Sequence, residues 1–180
     1  MEPIAPIRKY GRYMVIIFPA VVIVIYFVWC YIQPHTTVVL LRHADRQGTQ
    51  DLLNQAGIDR AAELVHVLEK SGITAIFHSE AFRTQRTAQD TASHLGISPV
   101  QINSADVSGL VSVIVSNHAG ETVMVVSHSN RVPDIIEELG GGEYPDIDHD
   151  EYDNLFVVQK CHCWWHQTSV VNLQYGELSP

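Results

Sequence analysis

The run from Thr36 to Leu41 stops abruptly at Arg42 and His43, and the resulting stretch, "VVLLRHAD", is the feature that most limits what this chain can fold into. β-branched and aliphatic residues without polar alternation suit a central strand of a parallel sheet, covered on both faces. An arginine beside a histidine is not turn chemistry. Two later runs end in a similar way. Thr74 to His78 leads into Ser79, with Arg83 at the start of the following helix, and Thr122 to Ser127 leads into His128.

The segments between these runs have helical patterns. Gly57 to Ser71 places Ala61, Leu64, Val65 and Leu68 at helical spacing, with Gly72 as its C-terminal cap. Helices are also predicted over Glu80–His94, Val107–His118 and Val132–Leu139. Pro99–Ile102, Leu155–Val158 and Ser169–Leu173 read as further strands. Strands alternating with helices predict an α/β domain, with helices on both faces of a mostly parallel sheet. Ligands of such sheets bind at the carboxyl ends of the strands.

Ahead of this domain, Met14 to Ile32 carries no charge and has about the length of a bilayer-spanning helix. Tyr10, Tyr13, Trp29 and Tyr31 lie near its ends, as interfacial aromatics would. The run exceeds the roughly 7–15 residues of a signal-peptide core, and no small-x-small cleavage site follows it. It therefore predicts one uncleaved N-terminal transmembrane helix, giving segments 1–13 (cytoplasmic), 14–32 (anchor) and 36–180 (domain). Arg8, Lys9 and Arg12 precede the run. By the positive-inside rule they predict a cytoplasmic N-terminus and a domain in the periplasm, or in a lumen or the exterior if eukaryotic. The anchor also explains why only 17% of residues are charged, against a usual figure of about 25%. A net charge of −9 argues against nucleic acid as a partner.

If the three polar strand ends are neighbours, two histidines and two arginines meet at one edge. Guanidinium forks match phosphate oxygens. Nearby positive charge keeps an imidazole neutral, and a neutral imidazole can attack phosphorus. A second histidine can hydrogen-bond the transferring group, while a carboxylic acid protonates the leaving oxygen. Such a site needs neither metal nor cofactor, because the arginines supply the positive charge.

The motifs resemble those of the histidine phosphatase superfamily, the phosphoglycerate mutase-like proteins. "LLRHAD" is similar to the family's Arg-His-Gly/Ala signature. "FHSEAFRTQRTAQDTA" resembles its second block through Ser79, Arg83, Thr87 and Ala88, and "VMVVSHSN" resembles its third. "LNQAGIDRA" looks like the segment between the first two blocks, and "YDNLFVV" and "LQYG" are similar to the tails of small members. The blocks come in family order over Val38–Gly176. Ala44, where glycine is commoner, looks like the phosphohistidine-phosphatase branch. The resemblance implies a three-layer fold with His43 as the phosphorylated nucleophile. Arg42 and Arg83 would bind the phosphoryl oxygens, and His128 would complete the pocket. The implied general acid is open between Asp45 and Asp106, or neither. Arg86 stands where glutamine is frequent and adds positive charge near the pocket.

The expected activity is hydrolysis of a phosphomonoester or a phosphohistidine. A mutase generally needs insertions for which the chain has little room. The alternative is an inactive domain of the same fold that binds a phosphorylated ligand or a partner. The short connection after the apolar run adds a lipid-linked phosphate to the candidate substrates. Cys161 and Cys163 read either as two strand residues on one face or as a labile disulfide. Zinc needs about four ligands and no second cysteine pair exists, so no metal is expected, even with His162 and His166 nearby. The acidic stretch from Glu143 to Asp153 lacks the spacing of a calcium loop and reads as solvated. His78 reads as structural, capping its strand.

Overall fold

Side chains of a strand point alternately to opposite faces of its sheet, and here that alternation builds a layered domain. The computed structural model describes residues 11–31, 35–161 and 168–179, with side chains of the first segment described over 18–28. In chain order the elements are α1 (Gly11–Tyr31), β1 (His35–Arg42), α2 (Gln55–Leu68), β2 (Ile73–Ser79), α3 (Phe82–Leu95), β3 (Val100–Ile102), α4 (Val107–Asn117), β4 (Thr122–Ser127), α5 (Arg131–Glu138), β5 (Asn154–Cys161) and β6 (Ser169–Gln174). The chain divides into two compact units, Met1–Gln33 and Pro34–Pro180.

The six strands form one sheet in the order β3-β2-β4-β1-β5-β6. β3, β2, β4 and β1 pair in parallel, and β5 runs antiparallel to both β1 and β6. On one face, Val38, Leu40, Phe77, Val123 and Val125 pack with Leu110, Ile114, Ile135 and Ile136 of α4 and α5. On the other, Val39, Leu41, Ile76, Met124 and Val126 pack with Leu64, Leu68, Ala88 and Ala92 of α2 and α3. β1 is therefore buried on both sides, which is why its sequence shows no polar alternation. Leu40, fully buried, would cost about 2–5 kcal/mol if cut back to alanine.

Turn chemistry closes the helices where they must stop. Gly96 caps α3 in the left-handed conformation, φ 70°, which a side chain would disfavour. Gly72 was expected to cap α2 but does not. That helix ends at Leu68 with Glu69 as its cap, and Gly72 makes the turn into β2 at φ 71°. Gly57, in the first turn of α2, has another reason to be glycine. A Cβ there would collide with the backbone carbonyl and amide of Asp45. The helix is thus pressed against the loop that follows His43.

The expected membrane anchor does not stand. Residues Gly11–Tyr31 are helical, but among the described residues no helix is long and apolar enough to cross a membrane. The single-pass localisation falls with it, and so do the cytoplasmic N-terminal segment and the periplasmic, lumenal or exterior domain. The flanking residues on which that orientation rested, Arg8, Lys9 and Arg12, lie outside the described side chains.

Cys161 is disulfide-bonded, which corrects the reading of it as a plain strand residue. Cys163, His162 and His166 lie outside the described residues.

Candidate active site

Register puts three strand ends at one level. Arg42 pairs with Ser127 across β1 and β4, and His78 pairs with Val126 across β2 and β4. The residues that follow, His43, Ser79 and His128, therefore come together. The amide of His43 extends the ladder by one bond, to the Ser127 carbonyl at 3.0 Å. The His43 and His128 rings lie 5.8 Å apart, edge to face.

His43 is 3% exposed. Its Nδ1 is 2.8 Å from the carbonyl of Ala44. A carbonyl only accepts, so Nδ1 carries the proton and Nε2 keeps the lone pair. Burial, then the nearby charges of Arg42 and Arg83, push its pKa down to about 3 against the pull of that carbonyl. The ring is a neutral base near pH 7, as a nucleophile must be.

The two guanidiniums are fixed by different means. Arg42 donates from one nitrogen, Nη1, to the carbonyls of Asp148, His149 and Glu151 at 2.8–2.9 Å. Tyr152 lies against its face, 4.1 Å from ring centroid to guanidinium carbon. Arg83 bonds Asp51 at 2.8 Å and reaches Nδ1 of His128 at 3.2 Å. In both arginines the Nε–H is buried with no partner among the described residues. A buried unsatisfied donor costs about 1–3 kcal/mol, and two of them beside a neutral imidazole suit an anion.

Helix α3 ties the pieces together. Ala81 stands at its N-cap position and has no side-chain acceptor. Asp51, from the loop after β1, supplies one by accepting from the amides of Phe82 and Arg83 at 2.8 and 3.2 Å. Slight burial pushes the Asp51 carboxyl up, but these amides and the Arg83 guanidinium outweigh it and hold it below the usual range. One turn apart on the buried face, Thr84 bonds Ser79 and Thr87 accepts from the Ala44 amide at 2.9 Å. The helix thus grips both strand ends.

His128 is held neutral by burial and by Arg83, with Glu80 and Asp51 pulling the other way. Glu80 is bonded by the amide and hydroxyl of Ser104 at 2.9 and 2.7 Å. A bond from its own amide, and then these two, keep its carboxyl below the usual range. His78 is buried, with Nδ1 2.7 Å from the Ser79 carbonyl.

The structure brings Arg42, His43, Arg83 and His128 together. It places the two candidate acids elsewhere. Asp45 is 2.7 Å from Arg60 and opens onto a separate cavity of about 590 Å³ with Asp59, Glu63 and Glu177. Asp106 caps α4, accepting from the Gly109 amide at 3.0 Å. Arg86 pairs with Asp90 one turn along α3. Three contributors escaped the sequence: Asp51, Thr84 and Tyr152. The acidic stretch is not simply solvated, because Ile147 and Asp153 are buried and its carbonyls hold Arg42. Main-chain acceptors carry no sequence signature. Asp51 was readable only as one polar loop residue among several.

Comparisons with known proteins agree with this geometry. A family model described as histidine phosphatase superfamily (branch 1) matches residues 38–105. No curated protein matches the sequence. Among solved structures, the protein histidine phosphatase SixA complexed with tungstate superposes with a TM-score of 0.60 at 18% identity, over 77% of this chain and 96% of that one. A phosphoglycerate mutase from Plasmodium falciparum gives 0.54 at 15%, over 82% and 94%. A mycobacterial glucosyl-3-phosphoglycerate phosphatase gives 0.54 at 13%, over 77% and 97%. At such identities these likenesses establish the fold, and their substrates remain their own.

Proposed function

We propose that the chain, whose residues 38–105 match the histidine phosphatase superfamily model, is a phosphatase working through a phosphohistidine on His43. The observation that carries this reading is the pair of buried, unpartnered Nε–H donors of Arg42 and Arg83 beside a histidine whose free lone pair is on Nε2. The guanidiniums bind the phosphoryl oxygens and neutralise charge as it shifts. Nε2 attacks phosphorus, the bond to the leaving atom breaks, and the electron pair leaves with that atom. The Nδ1–H bond to Ala44 holds the ring in the attacking tautomer and favours the positive charge it gains. Water then attacks the phosphohistidine, releasing phosphate and restoring His43.

Among the described residues, neither candidate acid is free to protonate a poor leaving group. Asp45 is paired with Arg60 and Asp106 caps a helix. Glu80, on the His128 side, is held ionised and suits a base for the water step rather than an acid. This supports a substrate whose leaving group needs little protonation, such as a phosphoramidate or an aryl phosphate, over an alkyl phosphomonoester. The case for a lipid-linked phosphate rested on the anchor and falls with it. The same lack of an acid is what favours the second reading, a phosphate-binding domain without turnover.

The test is metal-free hydrolysis of an aryl phosphate and of phosphoramidate by the full chain, beside His43→Ala. Turnover reduced by roughly 10⁴-fold or more in the variant, with acid-labile phosphate trapped on the wild type alone, is the expected outcome. A folded wild type that binds tungstate but neither turns over nor takes up label points to the binding domain instead.

A further inference from the structure

We propose that Ser79 and Thr84 are positioning residues that, together with the Arg83 donor on Nδ1, set the tautomer of His128, so that this imidazole donates to a phosphoryl oxygen only after gaining a proton on Nδ1. The inference rests on the phosphatase reading above for its purpose, but not for its geometry.

A guanidinium has donors and no acceptor. Arg83 Nη2 lies 3.2 Å from His128 Nδ1, so Nδ1 is the accepting nitrogen and the ring proton is on Nε2. Nε2 is 2.9 Å from Ser79 Oγ, which must therefore accept. Ser79 Oγ is 2.8 Å from Thr84 Oγ1, and Thr84 Oγ1 is 2.7 Å from the Ala81 carbonyl. One consistent direction runs through the chain: His128 donates to Ser79, Ser79 to Thr84, and Thr84 to Ala81. Both hydroxyl residues are fully buried, so water does not compete for these bonds. Serine and threonine each have one proton to give, and this arrangement uses both.

The consequence concerns the order of events. In this state the only proton of His128 points inward, and its lone pair faces Arg83. A phosphoryl monoanion draws the Arg83 guanidinium to its own oxygens and leaves Nδ1 open. Its P–OH proton then passes to Nδ1, so that the phosphoryl group is bound as the dianion. His128 becomes a cation that donates to the phosphoryl group through Nδ1 while Nε2 stays on Ser79. No bond between His128 and phosphorus is formed. The charges facing the ring set the balance. Arg83 and Arg131 oppose the cation, while Glu80 and Asp51 favour it. His43, 5.8 Å away, stays neutral.

The experiment is a two-bond ¹H–¹⁵N correlation spectrum of the ¹⁵N-histidine-labelled full chain near pH 8, with His128 assigned by its loss in His128→Asn. The expected result is the Nε2–H tautomer. Ser79→Ala should mix the tautomers and move the pH dependence of kcat/KM down by about one unit, because the cation loses its stronger, charge-assisted bond. Ser79→Thr keeps the hydroxyl and should restore both readouts, and Thr84→Val should shift them in the direction of Ser79→Ala. An Nδ1–H tautomer in the wild type overturns the proposal. So does a folded Ser79→Ala with an unchanged spectrum and profile. The spectrum needs no turnover, so a protein without phosphatase activity would sink the phosphatase reading while the proton's position is still decided.

Discussion

The two sides of the candidate pocket are built from different materials. On the β1 side, Arg42 and His43 are held by main-chain carbonyls: three on the guanidinium and one on the imidazole. On the α3 side, Arg83 and His128 are held by side chains, namely Asp51, Ser79 and Thr84. Main-chain acceptors survive any substitution around them, so the β1 side is robust to mutation except at its own donors. The α3 side depends on several side chains at once and can be adjusted one residue at a time. His43, the proposed nucleophile, sits on the fixed side and His128 on the adjustable one.

The sharpest way to break the comparison is to remove each arginine. Arg42→Ala and Arg83→Ala should each lower kcat/KM by about 10²–10³-fold, the usual effect of losing a transition-state donor. Their stabilities should differ. Arg42→Ala strips the carbonyls of Asp148, His149 and Glu151 of a buried charged donor and should cost about 2–4 kcal/mol in urea denaturation. Arg83→Ala leaves Asp51 bonded to two amides and should cost less than about 1 kcal/mol. Equal losses would refute the division.

Acid stability tests the fixed side more gently. His43 stays neutral down to about pH 3 when folded, whereas an unfolded histidine takes up a proton near pH 6.5. Between those values the unfolded state binds more protons, so stability falls as pH falls, by at most ~1.4 kcal/mol per unit from this group. His43→Asn should flatten that slope, as read by denaturant midpoints at pH 7, 6, 5 and 4. An unchanged slope would mean the ring is not held neutral.

Asp51→Asn probes the adjustable side. It keeps one acceptor for α3 but loses the charge that fixes Arg83, so kcat/KM should drop about tenfold, the equivalent of ~1.4 kcal/mol. Tm should fall slightly, in keeping with ~1 kcal/mol for a weakened cap. The smallest effect belongs to the acids outside the pocket. Asp106→Ala should cost ~1 kcal/mol as a lost N-cap and leave kcat within about threefold, because a cap acts on stability rather than on the chemical step. A large fall in kcat with intact folding would return Asp106 to the reaction.

Period and punctuation made most of the architecture legible. β1, β2 and β4 read as buried strands because both faces are apolar, but that they are neighbours was only a condition, which the pairing of β4 with both β2 and β1 meets. Arg42, His43, Arg83 and His128 were readable because each stands at or just beyond a strand end, where local sequence and position in the fold coincide. The misreadings share a different cause. Gly72 looked like a cap by position, yet the helix had already ended four residues earlier. Asp45 and Asp106 were candidate acids by their places in the family's blocks, with neither as the third possibility; direction decides whether a carboxylate meets a histidine, and theirs bond Arg60 and the Gly109 amide. The apolar N-terminal run suggested a span that the described helix does not supply.

By itself the sequence determined which residues are candidates for chemistry and which strands they end, because hydrophobic period and residue type are local properties. Only the tertiary structure decided what holds those residues. The carbonyls of residues 148, 149 and 151 on Arg42, Asp51 on α3, and the hydroxyl chain behind His128 join segments far apart in the chain. Hydrogen bonds between distant segments depend on distance and direction in space, which no pattern of neighbouring residues encodes.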